Sequence, residues 1–287
     1  MRVLVTGGTG LVGSHVTREL IARGATVTVL TRDAAKAASL PPGVSAVTGN
    51  LTEAATVRSI FKGMDAVFLL NAVSPMESHE GLMSVTAMRE VGVPRVVYLS
   101  VQNADGAAWL PHFGAKVGIE TAIRRSGIPH TILRPNNFYQ NDYWARDALL
   151  KFGVYPQPIG SAGLSRVDVR DIGEAAALAL TTRDHAGETY DLAGPDVITG
   201  ESAAQLWSQA LKRGVVYGGD DLDRWEQQSL QYMPPWMAFD FKAMYAFFQA
   251  EGLKATPEAI ERQTALIGHA PRPFGAFVAE TAAAWLK

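Results

Sequence analysis

Short apolar runs alternate with amphipathic stretches along the first half of the chain. The runs are rich in valine and recur about every 25 residues. Alternation of this kind predicts strand–helix–strand units arranged around a parallel sheet. The pattern predicts strands at residues 3–6, 26–30, 45–48, 66–70, 95–100 and 130–133.

The predicted helices between these strands end at glycines. A glycine just past a helix readily takes the left-handed backbone conformation that terminates it, because glycine lacks a Cβ. Gly24, Gly63, Gly92 and Gly127 each stand at such a position. These stops reinforce the predicted order of strands and helices.

The alternation is lost beyond Pro135, where prolines punctuate short apolar segments. We therefore expect residues 1–153 to form an α/β core with a doubly wound parallel sheet, and residues 154–287 to form a smaller, mostly helical C-terminal lobe. Residues 165–182 differ from the rest of that lobe, because they predict a strand followed by an alanine-rich helix opened by Asp171. We expect residues 165–183 to pack back on the first sheet.

Composition then excludes several classes of protein. With 26 Lys and Arg against 28 Asp and Glu, the chain lacks the basic surface with which nucleic-acid-binding proteins neutralise phosphates. It contains no cysteine, which excludes disulfides, thiolate metal sites and cysteine nucleophiles and makes the cytoplasm the expected compartment. The histidines never fall at the helical spacing of metal ligands, so we expect no protein-held metal.

The apolar segments are too short for a membrane protein. The longest, such as residues 66–70, fall far below the roughly 18 residues that a membrane span needs. The apolar start at residues 3–5 runs directly into Gly7 and Gly8 and does not continue as an export signal. We expect neither a membrane nor a nucleic acid as partner, and the oligomeric state stays open.

A glycine-rich turn joins the first predicted strand to the first helix. Gly7, Gly10 and Gly13 have the spacing G-x-x-G-x-x-G. Such a turn lets a pyrophosphate approach the backbone, where the amides and dipole of the helix N-terminus attract its negative charge. We therefore expect a Rossmann-type dinucleotide site with contacts from Gly7, Thr9, Gly10, Leu11 and Val12. The alternative is a tight strand–helix turn that binds nothing.

The end of the second predicted strand indicates which dinucleotide binds. An acidic residue about 20 positions beyond the glycines binds the 2′-hydroxyl of NAD, whereas an arginine there accommodates the 2′-phosphate of NADP. Arg32 stands at this distance and favours NADP(H). NAD(H) remains possible if Asp33 is the ribose ligand, although Asp33 also has the sequence position of a helix N-cap.

Together with this turn, three later segments resemble the NmrA-like family of atypical short-chain dehydrogenases/reductases. They are residues 111–120, 131–138 and 271–277, and the resemblance extends over nearly the whole chain. The resemblance implies that the dinucleotide lies across the strand ends. The family includes NADPH-dependent quinone, azo and triphenylmethane dye reductases, isoflavone-type enone reductases, and regulators that bind NADP without turnover.

Ordinary short-chain dehydrogenases use a Tyr-x-x-x-Lys pair, in which the lysine lowers the pKa of the tyrosine. No tyrosine of this chain has a lysine four positions later, and His112 and Lys116 take the place of the pair. Four residues apart on one helix, they share a face. The resemblance implies that Lys116 contacts the nicotinamide ribose. His112 either donates a proton or hydrogen bond to the substrate, or only caps its helix or lines a wall.

The missing tyrosine restricts the chemistry. Alcohol dehydrogenation needs a placed base on the hydroxyl, whereas a conjugated acceptor spreads the incoming negative charge and tolerates late protonation. The sequence therefore predicts hydride transfer from NADPH to a quinone, azo compound, dye or enone-like acceptor, with Lys116 and His112 as the catalytic candidates. The second hypothesis is a redox-sensing regulator that binds NADP(H) without turnover.

Further contacts follow from the rule that ligands of doubly wound sheets lie beyond the carboxyl ends of the strands. Each residue alone has the alternative of a loop position without a ligand. On this rule the expected cofactor contacts are Asn50, Leu51, Asn71, Ala72, Val73, Ser100 and Val101. Pro135, Asn137 and Phe138 match the family segment that borders the nicotinamide.

The C-terminal lobe contains a stretch rich in methionine and aromatic residues at positions 232–248. Such side chains suit an adaptable apolar pocket, although at helical spacing they are more commonly the core of a lobe. We expect some of each, with Tyr232, Met233 and Trp236 nearest a small aromatic or apolar substrate.

Overall fold

The computed structural model describes all 287 residues, Met1–Lys287. The strands are β1 (Arg2–Thr6), β2 (Thr26–Thr31), β3 (Ser45–Thr48), β4 (Ala66–Leu69), β5 (Val96–Leu99), β6 (His130–Pro135), β7 (Val154–Tyr155), β8 (Thr189–Leu192) and β9 (Val216–Tyr217). The helices are α1 (Leu11–Ala22), α2 (Ala34–Ala37), α3 (Ala54–Ile60), α4 (Glu77–Glu90), α5 (Pro111–Arg125), α6 (Val169–Thr181), α7 (Gly200–Leu211), α8 (Leu222–Ser229), α9 (Pro235–Glu251), α10 (Pro257–Ile267) and α11 (Phe274–Trp285). A 3₁₀ segment, Tyr139–Ala145, and a π-helical segment, Ala148–Phe152, follow β6.

Seven strands form one sheet in the order β3-β2-β1-β4-β5-β6-β8, and every neighbouring pair is parallel. The chain winds outward from β1 to β3 and then returns to the other side of β1 with β4. This reversal lies at β1 and β4, and doubly wound folds bind their ligands beyond the carboxyl ends of the strands at such a point. The predicted Rossmann-type α/β fold is confirmed.

Burial on both faces of the sheet explains the continuous apolar runs in the central strands. Helices cover both faces of a parallel sheet, so consecutive residues such as Val3, Leu4 and Val5 are all fully buried. The edge strand β3 is the exception, because all four of its residues are exposed. The four predicted glycine stops are also confirmed, since each has a positive φ: Gly24, Gly63, Gly92 and Gly127.

The chain divides into two units, and the division differs from the predicted boundary between residues 153 and 154. The first unit comprises Met1–Pro135, Val169–Leu192 and Ala265–Gly268; the second comprises Asn136–Asp168, Ala193–Thr264 and His269–Lys287. The boundary falls at the end of β6 because the next side chain, Asn136, donates a hydrogen bond of 2.7 Å to the carbonyl of Leu253 in the second unit.

The prediction for residues 165–182 was wrong in its first part. No strand precedes the helix, since Leu164 and Val167 form only isolated bridges within the second unit. Helix α6 begins at Val169, so Asp171 lies in its first turn and does not open it. The helix packs against α1, where a Cβ at Gly173 would lie 2.8 Å from the Cβ of His15.

The second unit is built around a fully buried ion pair. Arg166 donates to Asp142 at 2.8 Å, and the same carboxylate accepts hydrogen bonds from Gln157 and Trp207 at 2.6 and 2.8 Å. Burial lowers the pKa of Arg166, but the negative charge of Asp142 outweighs it and raises that pKa. The helices of the chain all lack the length or apolar character that a bilayer crossing requires.

Candidate active site

The turn between β1 and α1 is shaped by glycines whose missing side chains leave the backbone bare. Gly7 has a φ of +66°, and its carbonyl accepts a hydrogen bond of 2.9 Å from the amide of Gly10. A Cβ at Gly8 would lie 2.6 Å from Val29, and one at Gly13 would overlap the carbonyl oxygen of Gly7. The close approach of the turn to β2 therefore requires glycine at position 8, and the close approach of α1 to the turn requires it at position 13.

The N-terminus of α1 is open to an anion. Gly10 is the N-cap and supplies no side chain to the first amides of the helix, and both Gly10 and Leu11 are exposed. Thr9 is half-buried beside them, while Val12 is buried. Unsatisfied amides and the positive end of the helix dipole fit a pyrophosphate at this turn.

Arg32 lies directly after β2 and is exposed. Its neighbour Asp33 is the N-cap of α2, because its carboxylate accepts a hydrogen bond of 2.9 Å from the amide of Ala35. Asp33 thus has a structural partner, which leaves Arg32 as the side chain available to a ribose substituent. Beyond β3, Asn50 accepts a hydrogen bond of 3.1 Å from the amide of Thr52, and Leu51 is buried.

Two polar side chains follow the central strands. Leu69 pairs with Tyr98, so Asn71 and Ser100 stand side by side just beyond β4 and β5. Asn71 is buried, and neither polar atom of its amide completes a hydrogen bond. Ser100 is also buried and donates a hydrogen bond of 2.5 Å to Glu120. The neighbouring residues are more open: Ala72 is exposed, and Val73 and Val101 are half-buried.

Glu80 on α4 lies near both Arg32 and Asn71. Burial raises the pKa of the Glu80 carboxyl above its ordinary value. The positive charge of Arg32, the approach of the Asn71 amide and the charge of His79 act in the opposite direction without cancelling the rise. A carboxyl group whose pKa is raised by burial therefore lies beside the proposed phosphate ligand.

Helix α5 presents a polar face inside the first unit. His112, Lys116 and Glu120, spaced four residues apart, are all buried. The Lys116 ammonium donates to the Glu77 carboxylate on α4 at 2.5 Å. The ring of His112 packs edge-on against Phe113, with the centroids 4.8 Å apart.

Glu120 is the centre of an ionic network. Arg134 of β6 donates to both of its carboxylate oxygens at 2.9 and 2.6 Å, and Arg124 donates to one of them at 2.8 Å. Burial lowers the pKa of Arg134, but its hydrogen bonds to Glu120 and Asp105 outweigh that effect and raise the pKa. The network fixes the carboxyl end of β6, at Pro135, to helix α5.

The remaining predicted site residues belong to the second unit. Asn137 accepts a hydrogen bond of 3.0 Å from Arg166, and the carbonyl of Phe138 accepts one of 2.6 Å from the same guanidinium. Tyr232 is exposed, Met233 is half-buried, and Trp236 lies in the first turn of α9. Three aromatic residues further along α9 are buried in the core, which was the alternative to a pocket for this stretch: Tyr245, Phe247 and Phe248.

Sequence reasoning missed Glu77, Glu120 and Arg134. Glu120 had a usable signal, because it continues the four-residue spacing of His112 and Lys116 on one helix face. Arg134 and Glu77 had none of comparable strength, since their partners lie on other elements.

Comparison with known proteins supplies the family. Residues 1–269 match the family model described as NmrA-like. The chain belongs to the NmrA-like family. This confirms the resemblance found in the sequence, and the match extends across residues of both units.

Relatives that span nearly the whole chain include two named reductases. The chain is 30% identical to NAD(P)H azoreductase of Xenophilus azovorans, and the comparison covers 99% of each protein. It is 32% identical to (4-alkanoyl-5-oxo-2,5-dihydrofuran-3-yl)methyl phosphate reductase of Streptomyces griseus, again over 99% of each. Among solved structures, the NADPH-dependent quinone oxidoreductase of Escherichia coli complexed with NADPH superimposes with a TM-score of 0.87 at 21% identity, covering 99% of this chain and 100% of that one. At that identity the likeness establishes the fold.

Proposed function

We propose that the protein is an NADPH-dependent reductase that transfers hydride to a small conjugated acceptor. The observation that carries the proposal is the buried ammonium of Lys116, held by Glu77 in the same unit as the bare glycine turn. Burying a lysine ammonium costs free energy unless the ammonium is paired and hydrogen-bonded. The ribose of a dinucleotide offers hydroxyl groups to which the ammonium can donate.

The residues of the first unit fit the successive parts of a dinucleotide. The amide of Leu11, which follows the bare Gly10, binds the pyrophosphate, Arg32 binds the 2′-phosphate, and Lys116 binds the nicotinamide ribose. The buried amide of Asn71 has unused donors and acceptors for the cofactor. The remaining proposed contacts are those predicted from the sequence: Gly7, Thr9, Val12, Asn50, Leu51, Ala72, Val73, Ser100, Val101, Pro135, Asn137 and Phe138.

The bound dihydronicotinamide supplies the hydride, and the protein supplies position and few reactive groups of its own. Ser100 directs its hydroxyl proton to Glu120, which also accepts hydrogen bonds from Arg124 and Arg134. The Ser100 hydroxyl therefore offers the cofactor an acceptor lone pair and no proton. His112 is the side chain we assign to proton or hydrogen-bond donation at the acceptor.

A conjugated acceptor suits this limited set of groups, since it needs no acid placed against one oxygen atom. The two relatives that are at least 30% identical are named for such substrates, an azo compound in one case and an unsaturated oxo-dihydrofuran in the other. We assign Tyr232, Met233 and Trp236 to the apolar part of the substrate. Quinones, azo dyes, triphenylmethane dyes and enones are the candidate classes.

The deciding experiment mixes the protein and NADPH with a panel of these four classes and follows the loss of nicotinamide absorbance. We expect turnover with at least one class, and a large loss of turnover in Lys116→Met. Separate titration with NADPH measures binding alone. If the protein binds NADPH tightly but consumes no acceptor, the reductase proposal is wrong, and the second hypothesis, an NADP(H)-binding regulator, is favoured.

A further inference from the structure

We infer that Glu77 is a positioning residue that holds the Lys116 ammonium in place for the cofactor. The inference rests on the proposed function, in which Lys116 contacts the nicotinamide ribose. Glu77 is the first residue of helix α4, and Lys116 lies in helix α5. The contact therefore depends on the packing of the two helices. The Nζ–Oε1 distance is 2.5 Å.

The burial of the pair makes its geometry strict. The exposed fractions of the two side chains are 9% for Lys116 and 1% for Glu77. At this depth an unpaired charge is strongly unfavourable. A lysine side chain otherwise has several rotatable bonds and moves freely. The contact with Glu77 therefore selects one position of the ammonium.

The packing of the two helices is adapted to this contact. Gly81, one turn beyond Glu77, faces Ile119, which lies three residues beyond Lys116. A Cβ at Gly81 would overlap the Ile119 side chain, so the absence of a side chain lets α4 approach α5 at this point. The close approach brings the carboxylate of the first helix within reach of the ammonium of the second.

The pairing also changes what the lysine does. In a Tyr-x-x-x-Lys site, the positive charge of the lysine lowers the pKa of the neighbouring tyrosine. Here the charge is compensated by Glu77, and no tyrosine occupies that position. An ammonium donates three hydrogen bonds, so one goes to Glu77 and two remain for hydroxyl groups. Lys116 is thus a fixed ribose ligand and no longer an electrostatic activator.

A double-mutant cycle tests the inference through the dissociation constant of NADPH, measured by fluorescence titration without any acceptor. The variants are Glu77→Gln, Lys116→Met and the two combined. We expect each single substitution to weaken NADPH binding about tenfold, and the double variant to bind about as weakly as Lys116→Met alone. Such non-additivity means that Glu77 acts through Lys116.

Thermal unfolding of the same variants separates positioning from folding. Glu77→Gln leaves an uncompensated buried ammonium and lowers the melting temperature, whereas the double variant removes both charges and regains stability. The double variant is therefore well folded and still binds NADPH weakly. Val85→Ala is the matched control, because it removes buried apolar contacts from the same helix and leaves the NADPH affinity unchanged while lowering the melting temperature.

Two results would overturn the inference: NADPH affinity that is unchanged in Glu77→Gln, or losses in the two single variants that multiply in the double variant. Failure of the proposed function looks different. If the unmodified protein binds NADPH but consumes no acceptor, the reductase assignment fails while the binding cycle still reports on Glu77.

Discussion

Arg32 carries the discrimination between the two dinucleotides in the proposed site. Replacing it with alanine removes a charged partner for the 2′-phosphate, an interaction that typically contributes about 1.5–3 kcal/mol. We expect Arg32→Ala to weaken NADPH binding about tenfold to a hundredfold and to leave NADH binding nearly unchanged. Arg89→Ala removes an equal charge from the exposed end of α4 and controls for net charge. Equal losses for both cofactors would show that Arg32 does not bind the phosphate.

The contribution of Glu80 to the free energy of unfolding depends on pH. Because burial raises its pKa in the folded state, the stability that its neutral form provides is complete below the ordinary value of 4.5 and is lost as pH rises through the folded-state pKa. Glu80→Gln removes the titration. We expect its urea midpoint to exceed that of the unmodified protein near pH 7 and to match it near pH 4. A shift of the same size at both pH values would exclude the titration of Glu80 as its cause.

Helix α1 packs directly against the glycine turn that precedes it, at Gly13. Gly13→Ala places a methyl group against the Gly7 carbonyl, which pushes the helix away from the turn. We expect lower thermal stability and a loss of NADPH binding. Gly118→Ala is the matched control within α5, where a Cβ would meet nothing closer than 3.8 Å. It should stabilise the protein by up to about 1 kcal/mol through helix propensity and leave NADPH binding intact.

The elements that the sequence predicted are those with a local signal. Strands β1, β4 and β5 contain uninterrupted apolar runs, β2, β3 and β6 contain shorter ones, and the glycine stops depend only on backbone conformation. Strand β8 was missed because it alternates buried with half-buried residues and includes Asp191, so its pattern is weak and it lies at the sheet edge. The unit boundary was misplaced because the contact between Asn136 and Leu253 joins residues far apart in the sequence.

In the candidate site, too, the sequence predicted the local features and missed the tertiary contacts. The glycine turn, Arg32 and the His112–Lys116 spacing are short-range patterns, and the sequence showed them directly. The Glu77–Lys116 pair requires α4 to pack against α5, which depends on the fit of Gly81 to Ile119. Contacts of this kind are tertiary, so periodicity along one element cannot predict them.

At the scale of the whole molecule, most proposed cofactor ligands belong to the first unit, while Tyr232, Met233 and Trp236 belong to the second. Cofactor binding and acceptor recognition should therefore respond to different substitutions. A ligand present at 100 times its dissociation constant stabilises the folded state by about 2.7 kcal/mol, which corresponds to a rise of about 5–10 °C for a unit of this size.

We expect NADPH at that excess to raise the melting temperature of the unmodified protein by this amount, as measured by calorimetry. Trp236→Ala should show the same rise but an increased KM for the acceptor, because the residue is 38% exposed and is assigned to the substrate. Arg32→Ala should show a reduced rise with NADPH at the same concentration, since mass action depends on affinity. If Trp236→Ala loses the NADPH-dependent rise as well, Trp236 contributes to cofactor binding, and the separation of roles between the two units is wrong.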